Sequence, residues 1–269
     1  MAFAARSVPT PVLLAAAIVL ALGACERREP PAKPTGLAPT DYAPPPELTE
    51  ATRDPSGALE IGGTGLPQAR IRLASPSGAA TGSTVAADGR WSATLPSSGE
   101  VRLLSLSQDI DGRVIRARGY IVVLPPPGAT AAVLRPGAGA RPATFGARTP
   151  AIGSVEFDGM GAGVVSGRAR PGEQVRVFLD GQEAGEAQAD PKGWFDVSLS
   201  EPLEPTGHSV IVSTPDGRAA QAFDATRAEP IATPPFAASR KTGAWRIDWM
   251  APGGGVQTTL LFDPAGAGG

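Results

Sequence analysis

The chain holds one cysteine, Cys25, and one histidine, His208, among its 269 residues. Chemistry built on a thiol or an imidazole must therefore run through one of these two side chains. A lone thiol cannot close an intramolecular disulfide, and no second cysteine or nearby histidine completes a metal site. Cys25 ends the apolar run "VLLAAAIVLALGA" (Val12 to Ala24), which follows Arg6. That run is too short and alanine-rich for a bilayer-spanning helix and reads as a secretory signal. His208 opens the strand-like run "HSVIVS". "GHSVI" imitates a nucleophile elbow but offers Ile211 where that turn demands glycine, and no second histidine supplies a base. His208 therefore reads as a strand-edge residue.

The other candidates are weaker. "GMGAG" (Gly159 to Gly163) has the glycines of a phosphate loop but is followed by a strand pattern, so no helix N-terminus would meet a phosphate. "DIDG" (Asp109 to Gly112) opens like a calcium loop without its distal glutamate and reads as a hairpin turn. No pair of carboxylates stands out as a glycosidase dyad. The expectation is a protein without catalytic residues, metal or cofactor. One aromatic constellation remains: Trp245, Ile247 and Trp249 alternate along one run, so a strand would project all three from one face. Exposed, that face could stack on sugar rings or anchor a protein partner; buried, it would cover the edge of a neighbouring sheet.

The residues Leu22, Gly23, Ala24 and Cys25 resemble the lipobox of bacterial lipoproteins. The resemblance implies cleavage before Cys25, a diacylglycerol on its thiol and acylation of the new amine. Several acyl chains anchor firmly where one would hold marginally. Glu26 follows, rather than the aspartate that in enteric bacteria favours inner-membrane retention, which points to the outer membrane. An ordinary secretory signal or a buried, packed thiol remain the alternatives.

The elements that must position these residues are strands. With 24 basic against 26 acidic residues the chain lacks the basic footprint of a nucleic-acid binder. Its 34 glycines and 29 prolines punctuate short runs of Val, Ile, Leu and Thr. Residues 25–55 hold eight prolines and few large apolar side chains, the composition of an extended, disordered stalk. Residues 125–152, rich in Pro, Gly and Ala, read as a linker, with Val133, Leu134 and Phe145 touching a neighbouring domain.

Around that linker the sequence repeats at an offset of 104: Ile61, Gly63, Pro67, Ile71 and Leu73 match Val165, Gly167, Pro171, Val175 and Val177. Downstream, Gly89, Trp91, Ala93 and Leu95 match Gly193, Phe195, Val197 and Leu199. Within each copy apolar and polar residues alternate, as in "ARIRLA" and "RWSATL". Alternation with frequent turn signals predicts antiparallel strands in a β-sandwich, with Arg70 and Arg72 outside and Ile71, Leu73 and Trp91 inside.

The second copy, through "SGRARPGEQVRVFLDG" and "ADPKGWFDVSL", resembles the bacterial immunoglobulin-like domains found in tandem on surface and periplasmic proteins. The first copy departs where "LPQ" replaces "RPG". The expected fold is thus all-β: a signal peptide (1–24), a lipid-anchored stalk (25–55), sandwich 1 (56–124), a linker (125–152), sandwich 2 (153–226) and a C-terminal segment with a β-hairpin (227–269). The hairpin should dock on sandwich 2 or extend one of its sheets, because two isolated strands are marginal in water. The expected role is a non-enzymatic periplasmic scaffold or adaptor, tethered through lipidated Cys25 and engaging an envelope protein. The alternative is a binding module for peptidoglycan or another envelope glycan, using the Trp245–Trp249 face.

Overall fold

A computed structural model describes residues 43–126 and 130–264. The signal segment, Cys25 and the first part of the stalk lie outside the described residues. The described chain is all-β. Seven strands build sandwich 1: β1 (Glu47–Arg53), β2 (Leu59–Thr64), β3 (Arg70–Ala74), β4 (Ala80–Thr84), β5 (Arg90–Leu95), β6 (Arg102–Ile110) and β7 (Arg113–Val123). Two short strands follow, β8 (Ala131–Leu134) and β9 (Arg141–Pro142). Sandwich 2 repeats the plan with β10 (Ala151–Asp158), β11 (Gly163–Arg168), β12 (Gln174–Leu179), β13 (Gln182–Gln188), β14 (Trp194–Ser198), β15 (Gly207–Thr214) and β16 (Gly217–Asp224). The C-terminal segment adds β17 (Phe236–Lys241), β18 (Ala244–Met250) and β19 (Val256–Phe262).

In both copies a three-strand sheet (β1-β2-β5; β10-β11-β14) faces a four-strand sheet (β4-β3-β6-β7; β13-β12-β15-β16), all antiparallel. This is the immunoglobulin-like sandwich that the repeat predicts. Alternate residues fill each core: Leu59, Ile61, Ile71, Leu73 and Trp91 in the first, Val165, Val175, Val177, Phe195 and Val197 in the second. Arg70 and Arg72 are exposed. The matched glycines have a steric cause. A Cβ on Gly63 would lie 1.8 Å from the Glu47 carbonyl and 2.9 Å from the Trp91 ring. On Gly167 it would lie 2.0 Å from the Ala151 carbonyl and 2.6 Å from the Phe195 ring. The first strand of each copy and the core aromatic thus close on the same bare backbone.

Two segments depart from the sequence expectation. The stalk does not extend to residue 55, because Glu47–Arg53 pairs along β2 as an edge strand. Its alternation is weak: only Leu48 and Ala51 meet the core, and a register shift separates Leu48 from Glu50. The backbone ladder holds it, together with Arg53, which donates to the carbonyls of Gly57 and Leu124. The segment 125–152 is not a free linker either. β8 adds to β7 and β9 to β8, with Ala131, Ala132, Leu134 and Ala140 fully buried. Small side chains that resemble linker composition here permit close packing, and Pro142 sits on the edge strand, where a missing N–H is tolerated.

The C-terminal strands extend the smaller sheet of sandwich 2 into the order β14-β11-β10-β19-β18-β17. On β19, Leu260 and Phe262 point into the core of sandwich 2, while Leu261 points outward. Leu261, Ile247 and Trp249 meet Leu103, Val122, Leu124, Ala132 and Leu134 from the outer face of β6-β7-β8. The C-terminal sheet therefore bridges the sandwiches, and the described residues form one compact unit. Strands buried on both faces lose alternation, which explains the unbroken apolar runs "YIVVL" (Tyr120 to Leu124) and "LLF" (Leu260 to Phe262).

Candidate functional site: the cleft between the sandwiches

The Trp245–Ile247–Trp249 face is not open to a ligand. Ile247 and Trp249 have no solvent exposure, Trp245 is half-buried, and Tyr120 of sandwich 1 meets the Trp249 ring edge-on at 6.0 Å. The expectation of a binding face is corrected here, and so is the location of the buried alternative. The face covers the outside of sandwich 1, where Leu103, Val122, Leu124, Ala132 and Leu134 present an apolar patch.

Beside this apolar contact lies a polar one. The outer face of β10, β11 and β14 carries Ser154, Glu156, Ser166 and Asp196, and the turn between β8 and β9 lies against it. Ser154 donates to the Ala140 carbonyl (2.8 Å) and Ser166 to Asp196 (2.7 Å). Arg135 and Arg141 each donate to one oxygen of the Asp196 carboxylate, at 2.6 and 2.8 Å. Partial burial pushes the Asp196 carboxyl up, but the hydrogen bonds from Arg135, Ser166 and Arg141 together hold it below the usual carboxylate range. Gly139 sits at the tightest point, with φ +72 and a hypothetical Cβ only 1.9 Å from Ser166 Oγ. No residue but glycine fits there without displacing the turn.

Glu156 is the unusual member of this contact. Its Oε2 accepts from Thr259 Oγ1 (3.0 Å), which itself accepts from Trp249 Nε1 (3.0 Å), so the polar and apolar contacts join in one chain. Glu156 Oε1 is buried and, among the described residues, meets no donor at good hydrogen-bond geometry, the Gly137 and Gly139 amides lying near the carboxyl. Burial pushes this carboxyl up to about 7, against the opposing pull of Thr259, the Gly137 and Gly139 amides and Arg135.

Where the contact ends, the sandwiches separate around a cleft of about 950 Å³. One wall is β1, β7 and the segment preceding β1; the other is β11, the turn before β14, and Trp194. Two guanidinium groups, those of Arg141 and Arg168, each lie 5.0 Å from the Trp194 ring centroid. Phe145 packs edge-on to the indole at 5.2 Å. Five cationic side chains, Arg118, Arg135, Arg141, Arg168 and Lys192, line the cleft against two acidic ones, Glu47 and Asp190. Lys192 reaches across to Glu47 at 3.6 Å. An apolar hollow with a few convergent charges at a domain boundary is the usual form of a binding site.

The remaining sequence candidates are structural. His208 stands at the start of β15, with Nδ1 2.6 Å from Asp180 Oδ2 and Nε2 2.9 Å from the Glu204 carbonyl. Both neighbours are acceptors, an arrangement that favours the protonated ring; burial lowers its pKa, but the bonds to Asp180 and Glu204 raise it overall. "GMGAG" belongs to the turn between β10 and β11, where the Asp158 carboxylate accepts from the amides of Met160 and Ala162. "DIDG" closes the β6–β7 hairpin, with Asp111 and Gly112 both at positive φ. Cys25 lies outside the described residues. Sequence reasoning missed Arg141, Arg168 and Asp196. A signal existed in "WFDVS": Phe195 and Val197 face the core, so Trp194 and Asp196 must face outward, where a tryptophan needs a reason.

The fold and cleft define a tandem of immunoglobulin-like sandwiches with an inter-domain groove. No family model matches the sequence, and no curated protein matches it. Among solved structures, the chain is similar to the central fibronectin-III array of RIM-binding protein, at 15% identity and TM-score 0.27, covering 78% of this chain and 80% of that one. It is also similar to the BSP domain of a biofilm-associated protein, at 14% identity and TM-score 0.23, covering 69% of this chain and 30% of that one.

Proposed function

We propose that the chain is a non-enzymatic lipoprotein of the bacterial cell envelope, anchored through Cys25 and facing the periplasm, most simply from the outer membrane. It acts as a scaffold or adaptor that offers its inter-domain cleft to a protein partner. The observation that carries this reading is the packing of two sandwiches into one unit by a dedicated C-terminal sheet. A spacer needs no fixed angle between its modules, whereas a two-walled binding surface does. The glycan alternative named the Trp245–Trp249 face, and that face is covered by sandwich 1.

Two measurements test the proposal. Mass spectrometry of the mature N-terminus should show an acylated Cys25, and Cys25→Ser should abolish acylation and processing at that site. An unmodified thiol, or a mature chain starting elsewhere, removes the anchor. A photo-crosslinking amino acid at Phe145, on the cleft wall, should trap an envelope protein in cells. Adducts to peptidoglycan fragments alone would overturn the adaptor role.

A further inference from the structure

We infer that the cleft receives an extended, acidic peptide segment, laid beside β1 with its carboxylates turned toward Arg141, Arg168 and Lys192. This rests on the cleft being the partner-binding surface proposed above, and names the chemistry of what it holds.

Three observations lead there. The first is charge: five cationic residues line the cleft against two acidic ones, and with Asp196, which pairs with Arg135 and Arg141, counted as a third, the local balance stays positive in a chain whose formal net charge is −2. The local sign is opposite to that of the whole, which favours an anionic partner at this region. Arg141 is one of these cations on the cleft wall. Its Nη2 is held by Asp196, which fixes the guanidinium plane.

The second observation is backbone. β1 forms the edge of its sheet, paired only with β2 among the described strands, and Glu47, Leu48 and Thr49 of that edge line the cleft. An edge strand presents unmatched amides and carbonyls at strand spacing, which a second polypeptide satisfies in register and a sugar chain does not. The third is the alternation of surface chemistry. Leu48, Val133 and Phe145 supply apolar contact, and Arg141, Arg168 and Lys192 supply charge. A strand turns successive side chains to opposite sides, so alternating apolar and acidic residues meet both surfaces at once.

The test uses the mature protein and three fluorescein-labelled probes measured by anisotropy: a peptide of alternating glutamate and valine, its glutamine–valine counterpart, and oligogalacturonate as an anionic glycan. The glutamate peptide should bind, with affinity falling as salt rises, and the glutamine peptide should bind at least about tenfold more weakly. Arg168→Glu with Lys192→Glu should weaken the glutamate peptide by a further factor of about ten or more, the usual reach of opposed charges at an interface. Because Arg168 stacks on Trp194, the exposed single change Lys192→Ala provides a milder variant, expected to lower affinity without altering circular dichroism. Equal binding of both peptides, tighter binding of oligogalacturonate, or indifference to all of these substitutions would overturn the inference. If a protein crosslinks at Phe145 in cells while the acidic peptide fails to bind, the adaptor role stands and only the acidic-strand chemistry falls. If no protein crosslinks there, the adaptor role itself falls.

Discussion

Trp249→Ala should destabilise the folded chain by about 3–5 kcal/mol, the cost of deleting a buried aromatic that its surroundings cannot refill. Trp249 is fully buried among Leu103, Val122, Leu134 and Leu261, so the vacated volume lies between two sheets that belong to different sandwiches. The substitution also removes the donor to Thr259 Oγ1 and the edge-on contact with Tyr120. Each sandwich keeps its own core, since neither core includes Trp249. The loss therefore falls on the coupling. Denaturant curves should change from one cooperative transition to two, with the summed stability reduced. A single transition within about 0.5 kcal/mol of the wild type would show that the C-terminal sheet does not join the sandwiches.

The second large effect is on pH dependence, and it arises from Glu156. Its carboxyl is pushed from an ordinary value near 4.5 to about 7 in the folded chain. The folded state thus retains a proton that the unfolded state has lost. Stability from this group is complete below about pH 4.5 and is lost as pH rises through about 7. The whole change is roughly 3 kcal/mol by linkage. Glu156→Gln removes the titration while keeping an acceptor for Thr259. The variant should match the wild type at pH 4.5 and exceed it by up to about 3 kcal/mol at pH 8, measured by urea denaturation at each pH. Asp196 works in the opposite sense and a lower window. Its depressed carboxyl contributes stability above its unfolded value of 3.8, lost as the pH falls further. His208, raised above 6.5, contributes stability below that value and loses it as pH rises through its folded pKa, in the same direction as Glu156. The difference between wild type and Glu156→Gln cancels both. Parallel pH profiles would show that Glu156 is solvated or paired in solution.

The sandwiches were legible in the sequence because their information is local. Alternation in β3 and β5, the Asp-Gly turns and the offset of 104 all act within a few residues or repeat outright. The offset holds in three dimensions: β2 (Leu59–Thr64) and β11 (Gly163–Arg168) are equivalent strands. What escaped was the joining of the copies. β1, β8 and β9 are edge additions whose side chains are small or polar, so backbone pairing and close approach hold them, and neither leaves a hydrophobic period. The Trp245–Trp249 face was visible as a face, but its partner was a patch on another domain, assembled from residues 103 to 134.

The repeat itself contained a further clue to the contact. At the offset of 104, Thr52 becomes Glu156, Gly62 becomes Ser166, Arg90 becomes Trp194 and Ser92 becomes Asp196. These are outward positions in the same sheet of each copy. In the first copy that face meets solvent, where Arg90 pairs with Glu50 in an exposed ion pair. In the second it meets the β8–β9 turn and the cleft. Positions where duplicated strands keep their inward residues and change their outward ones mark where one copy gained a neighbour. The five cleft cations come from separate stretches of the chain, and only the packing of the two sandwiches brings them together.

The central claim is that the C-terminal sheet holds two immunoglobulin-like sandwiches at one fixed angle, so that the cleft is a formed surface. The most direct measurement is a spin-label distance distribution. Labels go on the exposed Thr84→Cys of β4 and the exposed Gln182→Cys of β13, with Cys25 replaced by serine. A fixed pair of domains gives one narrow peak, no wider than the rotamers of the labels allow, and Trp249→Ala broadens it. A broad or multi-peaked distribution in the otherwise unaltered chain would contradict the account, since sandwiches that swing independently present no common cleft to any partner.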